Sequence, residues 1–448
     1  MEKLFIDAQG EDKFDYFMRA YLTIKTGSIP RLDEVYATFK QYIFNKDVKD
    51  VVSDVFVFSK YYSNLEFGKE NDIKLNEIIA NIRTLKVEVA YPFLMRVYFD
   101  YANKIINKNE FKEVLKLTES YVFRRAICDI PTNSLNKTFA NLYKEINTEK
   151  YIESLRATLI LKTSYHSFPT NEEFINKLFD KDIYNSRNSK YIFEKFEYFD
   201  NKERVNLDDL SVEHIMPQTL TSEWEIALGD DFERIHTDYL HTIGNLTLTG
   251  YNPEMSNKSF TEKRDMEKGF KNSCVRLNRD LVILDKWGEN EIKTRAKMFS
   301  KEATKVWEYP NLQEEIIEKY KVEKEPEIQA DYSREDYEYL QGEIETLYDL
   351  LSQRIKAFDP EIIKEEYLAK YIAFKTSKTN FVDIVPQRTA LRLSLNMKYN
   401  EIDDPKNKTR DVSNVGRWGN GEVEIKISKP EDIDYVMTLI KQSFERNK

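Results

Sequence analysis

Residues 211–220 read Ser-Val-Glu-His-Ile-Met-Pro-Gln-Thr-Leu and place His214, one of only four histidines in the chain, directly after Glu213. An imidazole near its ordinary pKa can take a proton from water at neutral pH. The competing reading is a core histidine beside a chance proline. Two further stretches carry amides: Ile-Gly-Asn-Leu-Thr-Leu-Thr-Gly, with Asn245, and Asn-Pro-Glu-Met-Ser-Asn-Lys-Ser-Phe, with Asn252 and Asn257. Metal-assisted phosphodiester cleavage needs a base for water and a hard cation to neutralise charge on the phosphate and leaving oxygen. A Glu carboxylate and Asn carbonyls are donors suited to Mg²⁺, or Mn²⁺, rather than to zinc, which would want His or Cys clusters.

The elements that must position these residues follow from local pattern. Leu-Asp-Asp-Leu-Ser-Val-Glu-His-Ile-Met-Pro is strand-like, a long irregular excursion follows, His-Thr-Ile-Gly-Asn-Leu-Thr-Leu-Thr-Gly is again strand-like, and a helical pattern closes the unit. A two-stranded hairpin followed by a helix would set His214 at the end of the first strand, Asn245 on the second and Asn257 where the helix begins. His236 and His241, in or beside the excursion, are assigned to packing, and His166 to packing or hydrogen bonding. Lys258, Arg264 and Gln218 are the candidates for touching a nucleic acid, with a solvated first-turn lysine as the plain alternative for Lys258.

At 448 residues the chain is too long for one ordinary core. Hydrophobic residues at 41%, charged residues at 33% and only 12 Gly and 12 Pro favour helices with solvated faces. The predicted fold class is mainly α and multidomain. Helical patterning fills 1–160, a domain over 161–310 holds the hairpin, 311–335 is a charged linker, and 336–448 is a small α+β domain. Thr170 three residues before Glu173 has the spacing of a capping box. Arg124 and Arg125 at a predicted helix end are read as satisfying carbonyls rather than binding phosphate. Gly419, Asn420 and Gly421 suit a tight hairpin turn.

Two cysteines far apart, neither in a Cys-x-x-Cys pair, suggest neither a disulfide framework nor a cysteine-rich zinc site. No window approaches the roughly 20 apolar residues of a membrane span, so the expectation is a cytoplasmic protein. A net charge of -10 argues against indiscriminate coating of nucleic acid. One local exception is 257–307, with 13 Lys or Arg against 8 Asp or Glu.

The three segments Val-Glu-His-Ile-Met-Pro-Gln, Ile-Gly-Asn-Leu-Thr-Leu-Thr-Gly and Asn-Pro-Glu-Met-Ser-Asn-Lys-Ser-Phe-Thr-Glu-Lys-Arg together resemble the HNH, or ββα-metal, nuclease domain of GmrSD-type modification-dependent restriction endonucleases. The resemblance spans roughly 165–310. It implies His214 as general base, Glu213 and Asn257 as metal ligands, Asn245 as the asparagine holding the loop that carries the base, and Asn252 as a further candidate for the metal or for loop closure. It implies DNA as substrate, modified DNA in particular, in defence against phage. Residues 1–150 resemble the helical end of the nucleotide-sensing half of these nucleases, but the Asp-Gly-Gln-Gln-Arg segment of that half does not occur here. The expectation is a natural split or truncated product, or a separate nucleotide-sensing subunit as partner, with a homo-oligomer left open. Residues 335–448 resemble a small uncharacterised domain appended to restriction-type nucleases, where Arg388, Arg392, Arg417 and Trp418 permit DNA contact. Two alternatives stand beside the DNA endonuclease: a DNA-binding or assembly subunit with a silent nuclease fold, and an RNA nuclease of a toxin-like system.

Overall fold

The structure, a computed structural model, describes residues 5, 13–323, 332–376, 379–413 and 420–448. They divide into two compact units, Met1–Glu323 and Lys324–Lys448. Arg417, Trp418 and Gly419, and residues 324–331 of the linker expected over 311–335, lie outside the described residues, and Glu314–Glu323 within that linker is helical. Among the described residues no helix is long and apolar enough to cross a membrane.

The first unit is helical apart from one short hairpin. Its central helix, Lys108–Ile127, begins at a reciprocal cap in which the Asn107 side chain accepts from the Glu110 amide and Glu110 returns a bond to Asn107. That cap satisfies donors the first turn would otherwise leave orphaned. Phe111, Leu115, Tyr121 and Phe123 on this helix are fully buried, in a core that continues from Phe5 to Trp307. The two regions expected as domains, 1–160 and 161–310, therefore share one hydrophobic core.

Arg124 shows what ties them. It is fully buried, and donates to the carbonyls of Trp307 (2.7 Å) and Pro169 (3.1 Å) and to Asn171 Oδ1 (2.7 Å). Arg125 donates to the carbonyls of Ser167 and Pro131. Both arginines satisfy backbone, as their place at a helix end predicts. The capping box also forms: Thr170 Oγ1 accepts from the Glu173 amide, and Glu173 accepts from Thr170, opening the helix Asn171–Asp180. His166 bonds Thr138 through Nδ1 (2.7 Å), the hydrogen-bonding role expected of it.

The second unit is a six-stranded antiparallel sheet with helices Gly342–Lys356 and Ile433–Asn447 in its core. The strands are β3 (Lys364–Tyr367), β4 (Ile372–Lys375), β5 (Asn380–Gln387), β6 (Ala390–Leu395), β7 (Arg410–Asp411) and β8 (Val423–Ile427), ordered β3-β4-β5-β6-β8-β7; β1 (Ser211–His214) and β2 (Leu246–Thr249) form the hairpin of the first unit. Leu391, Leu393 and Leu395 on β6 and Val423, Ile425 and Ile427 on β8 alternate into the core, the period-2 pattern of a half-buried strand. The edge strands β3 and β7 are additions to the sequence-based expectation. Lys-Glu-Glu-Tyr and Arg-Asp carry no apolar alternation because an edge strand buries little. Gly421 has φ +81°, and a Cβ there would meet the Leu395 carbonyl oxygen at 2.0 Å, so only glycine fits.

Candidate active site

Strand β1 (Ser211–His214) pairs antiparallel with β2 (Leu246–Thr249), with Ser211 opposite Thr249 and His214 opposite Leu246. Both strands are shorter than their sequence patterns suggest. Asn245 lies in a 3-10 turn, Ile243–Asn245, just ahead of β2 rather than on it. Its amide donates to the Thr242 carbonyl (3.0 Å), which closes the turn, and its side chain makes four bonds of its own. Oδ1 accepts from the Met216 amide (2.8 Å) and Trp287 Nε1 (3.1 Å), while Nδ2 donates to the carbonyls of Met216 (3.0 Å) and Leu240 (2.9 Å). The Asn245 carbonyl also accepts from the Ile215 amide (2.9 Å). The turn that carries His214 out of β1 is thus tied down on both sides.

Three further contacts hold the hairpin. Gly244 lies so close to the helix Glu289–Val306 that a Cβ would fall 2.3 Å from the Ile292 carbonyl oxygen. Arg295 on that helix donates to the carbonyls of Gly244 (3.2 Å), Leu246 (2.6 Å) and Leu277 (3.1 Å), and burial pushes its guanidinium down to about 9. Asn252 donates to Ser211 Oγ (2.6 Å) and the Val212 carbonyl (3.1 Å), which closes the loop back onto β1. Beneath the site, Ile215, Met216, Trp224, Phe260, Trp287 and Ile292 form a small core of their own.

His214 is 5% exposed and its Nε2 lies 3.0 Å from Nδ1 of His241. The Tyr184 ring packs against both imidazoles, 4.2 Å from His214 and 5.3 Å from His241, nearly parallel to the latter at 12°. The segment bearing Tyr184 is clamped to the same place, because the Ile183 amide donates to the His241 carbonyl (2.8 Å). Gln218 reaches the Tyr184 hydroxyl at 3.3 Å. Burial, and after it the nearby His241, Lys263 and His236, pushes His214 down to about 3, with Asp182 opposing. The burial that leaves His214 neutral before it acts also opposes the charge it takes on with a proton, so a base here needs a partner for its imidazolium. His214 Nδ1 has no hydrogen-bond partner among the described residues and is not sealed from solvent.

His236 makes its expected packing contact, Nε2 to the Pro217 carbonyl (3.0 Å). His241 does not, and with Tyr184 it is the residue that sequence reasoning missed. A signal was present: three of the four histidines fall between 214 and 241.

Glu213 points to the other side of β1. Its Oε1 accepts from Lys263 Nζ at 2.6 Å, and the same ammonium donates to the His214 carbonyl (2.7 Å); Lys263 is fully buried and Glu213 5% exposed. Burial pushes the Glu213 carboxyl up and the Lys263 ammonium down, and their attraction opposes both. Asn257 sits exposed, ahead of the short helix Phe260–Asp265, whose cap is Ser259, and its side chain bonds no described residue. Mg²⁺ or Mn²⁺ would need several oxygen donors. With Lys263 on Glu213, a dication would meet a buried positive charge, and no group of three or more His, Cys, Asp or Glu that could hold a metal occurs among the described residues. In this arrangement the residues do not fit the ion.

The candidates for nucleic-acid contact are largely engaged within the protein. Lys258 donates to the Glu254 carbonyl (2.8 Å), and Arg264 binds Asp265 and the Leu284 carbonyl. Gln218 is exposed beside the site. Of the basic stretch 257–307, the exposed cations without a named partner are Lys271, Arg279, Lys286, Lys297, Lys301 and Lys305. In the second unit Arg388 is exposed and Arg392 is 3.9 Å from Glu424.

Comparison with known proteins brackets this site. Residues 168–302 match the family model of the C-terminal domain of GmrSD restriction endonucleases, and 336–447 match a domain of unknown function, DUF5655. An uncharacterized protein of Haemophilus influenzae is 34% identical over 171 residues, 38% of this chain and 51% of that protein. The chain thus spans about half the length of the curated relative it matches. The first match contains the hairpin, His214, His241, Tyr184 and Lys263, and suggests a restriction endonuclease. Residues 168–302 of this chain are therefore a GmrSD-type C-terminal domain.

Proposed function

We propose that this domain is an HNH-type endonuclease that hydrolyses phosphodiester bonds in foreign, modified DNA as part of a restriction defence. One observation carries the reading: a neutral, buried histidine at a strand end, its loop bonded on both sides by Asn245, with one ring nitrogen left open to solvent. In the reaction His214 takes a proton from water, the water oxygen bonds phosphorus, and the bond from phosphorus to the 3′ oxygen breaks, the departing oxygen being protonated from solvent. No step is assigned to an ion, because Glu213 is held by Lys263.

Purified full-length chain is incubated with unmodified plasmid and with hydroxymethylcytosine-containing DNA, in Mg²⁺, in Mn²⁺ and in chelator, with and without nucleotide, beside His214→Ala. The expected result is cleavage lost in the variant with DNA affinity retained; RNA in a parallel tube tests the substrate class. A wild-type chain that binds DNA and never nicks it would instead support a DNA-binding or assembly subunit that waits for a nucleotide-sensing partner. The neutralised Glu213 is the observation that favours this second reading.

A further inference from the structure

The contact between His214 Nε2 and His241 Nδ1, 3.0 Å apart, admits one proton between two nitrogens. If His241 supplied it, His214 would carry its own proton on Nδ1, the nitrogen that reaches solvent, and neither ring nitrogen could accept from water. If His214 supplies it, Nδ1 is left with its lone pair toward solvent. Only the second tautomer makes a base.

We propose that His241 is the positioning residue of the site: its Nδ1 accepts from His214 Nε2–H, which fixes His214 in the tautomer that can deprotonate water. The direction of the bond and its kinetic consequence rest on the nuclease reading, whereas the 3.0 Å contact does not. Tyr184, nearly parallel to the His241 ring, fixes the plane of the acceptor, and the bond from the Ile183 amide to the His241 carbonyl fixes its backbone. The same bond has a second effect. When His214 accepts the proton from water it becomes an imidazolium, and a hydrogen bond donated by a charged group is stronger than one between neutral groups. His241 thus stabilises charge where it develops, in a pocket whose burial opposes that charge. This is the logic by which a third group orients the base in other hydrolases, here supplied by a second imidazole.

The test has two arms on the full chain. Long-range ¹H–¹⁵N spectra of histidine-labelled protein, assigned through the signals lost in His214→Ala, read the tautomer directly. The expected pattern is a protonated Nε2 and an unprotonated Nδ1 on His214, lost in His241→Phe, which keeps a ring against Tyr184 but offers no acceptor. In cleavage assays His241→Phe lowers kcat by about 10²–10³-fold with DNA affinity unchanged, and His241→Asn, whose amide oxygen falls near the place of Nδ1, recovers to within about tenfold of the wild type. A wild-type His214 protonated on Nδ1, or a His241→Phe chain that cleaves at the wild-type rate, overturns the proposal. If the wild-type chain cleaves nothing, the nuclease reading fails, and the nitrogen shifts still decide the pairing.

Discussion

A single buried ion pair decides what Glu213 is doing. Lys263 has no solvent contact, so its removal leaves a carboxylate uncompensated in the interior. Lys263→Met is expected to cost about 3–5 kcal/mol at neutral pH, measured by urea unfolding. The double variant Glu213→Gln/Lys263→Met is expected to recover most of that loss, because no charge is then buried alone; equal destabilisation by the single and double variants would contradict the pairing. Asn245 is the second residue on which the site depends. Asn245→Ala abandons four bonds around Met216, Leu240 and Trp287. A loss of about 2–4 kcal/mol is expected, with cleavage falling further than stability does, since the loop carrying His214 is released. Glu213, His214 and Asn245 were legible as candidates from residue type and predicted element, with their roles implied by the resemblance. Their partners Lys263, His241 and Trp287 were not, because no local period announces a contact between residues 27 to 50 positions apart.

Among the elements, the hairpin depends on its approach to the helix Glu289–Val306. Gly244→Ala drives a Cβ into the Ile292 carbonyl and the Ala296 side chain, neither of which can swing away as a flexible side chain can. The variant is expected to be destabilised by more than about 2 kcal/mol; a melting temperature equal to that of the wild type would show that the helix yields. In the second unit β5 carries a buried Asp383, which accepts from the Asn420 amide (2.7 Å) and Asn380 Nδ2 (3.0 Å). Burial pushes its carboxyl from 3.8 up to about 6. Between those values the folded chain holds a proton that the unfolded chain has lost, so this residue's contribution to stability is full below about pH 4 and falls as the pH rises to 6. Asp383→Asn is expected to remove that slope and to stabilise the unit at pH 7 by at most about 3 kcal/mol. Urea titrations at pH 4, 5, 6 and 7 measure both effects. The α+β character of 336–448 was legible in the sequence, whereas the edge strands β3 and β7 were hidden by the polarity that edge strands tolerate.

At the scale of the whole molecule, a chain of net charge -10 that approaches a polyanion depends on few local cations. If the exposed lysines and arginines of 271–305 supply three phosphate contacts, raising salt from 50 to 200 mM is expected to weaken DNA binding about 40-fold, read by fluorescence anisotropy. Binding that does not respond to salt would exclude a phosphate-contacting role for that stretch. By itself the sequence determined the mainly helical class, the Thr170 capping box, the structural fate of Arg124 and Arg125, and the order of segments that places His214 at a strand end. These follow from short-range physics: helical and strand periods, caps, and the bonding habits of particular residue types. Only the tertiary structure decided that Arg124 joins regions that read as separate domains, that Glu213 is neutralised by Lys263, and that His241 faces His214. Each of those is a contact between groups brought together by packing, where the partner is chosen by the shape of the core and the cost of leaving a buried charge or donor unpaired.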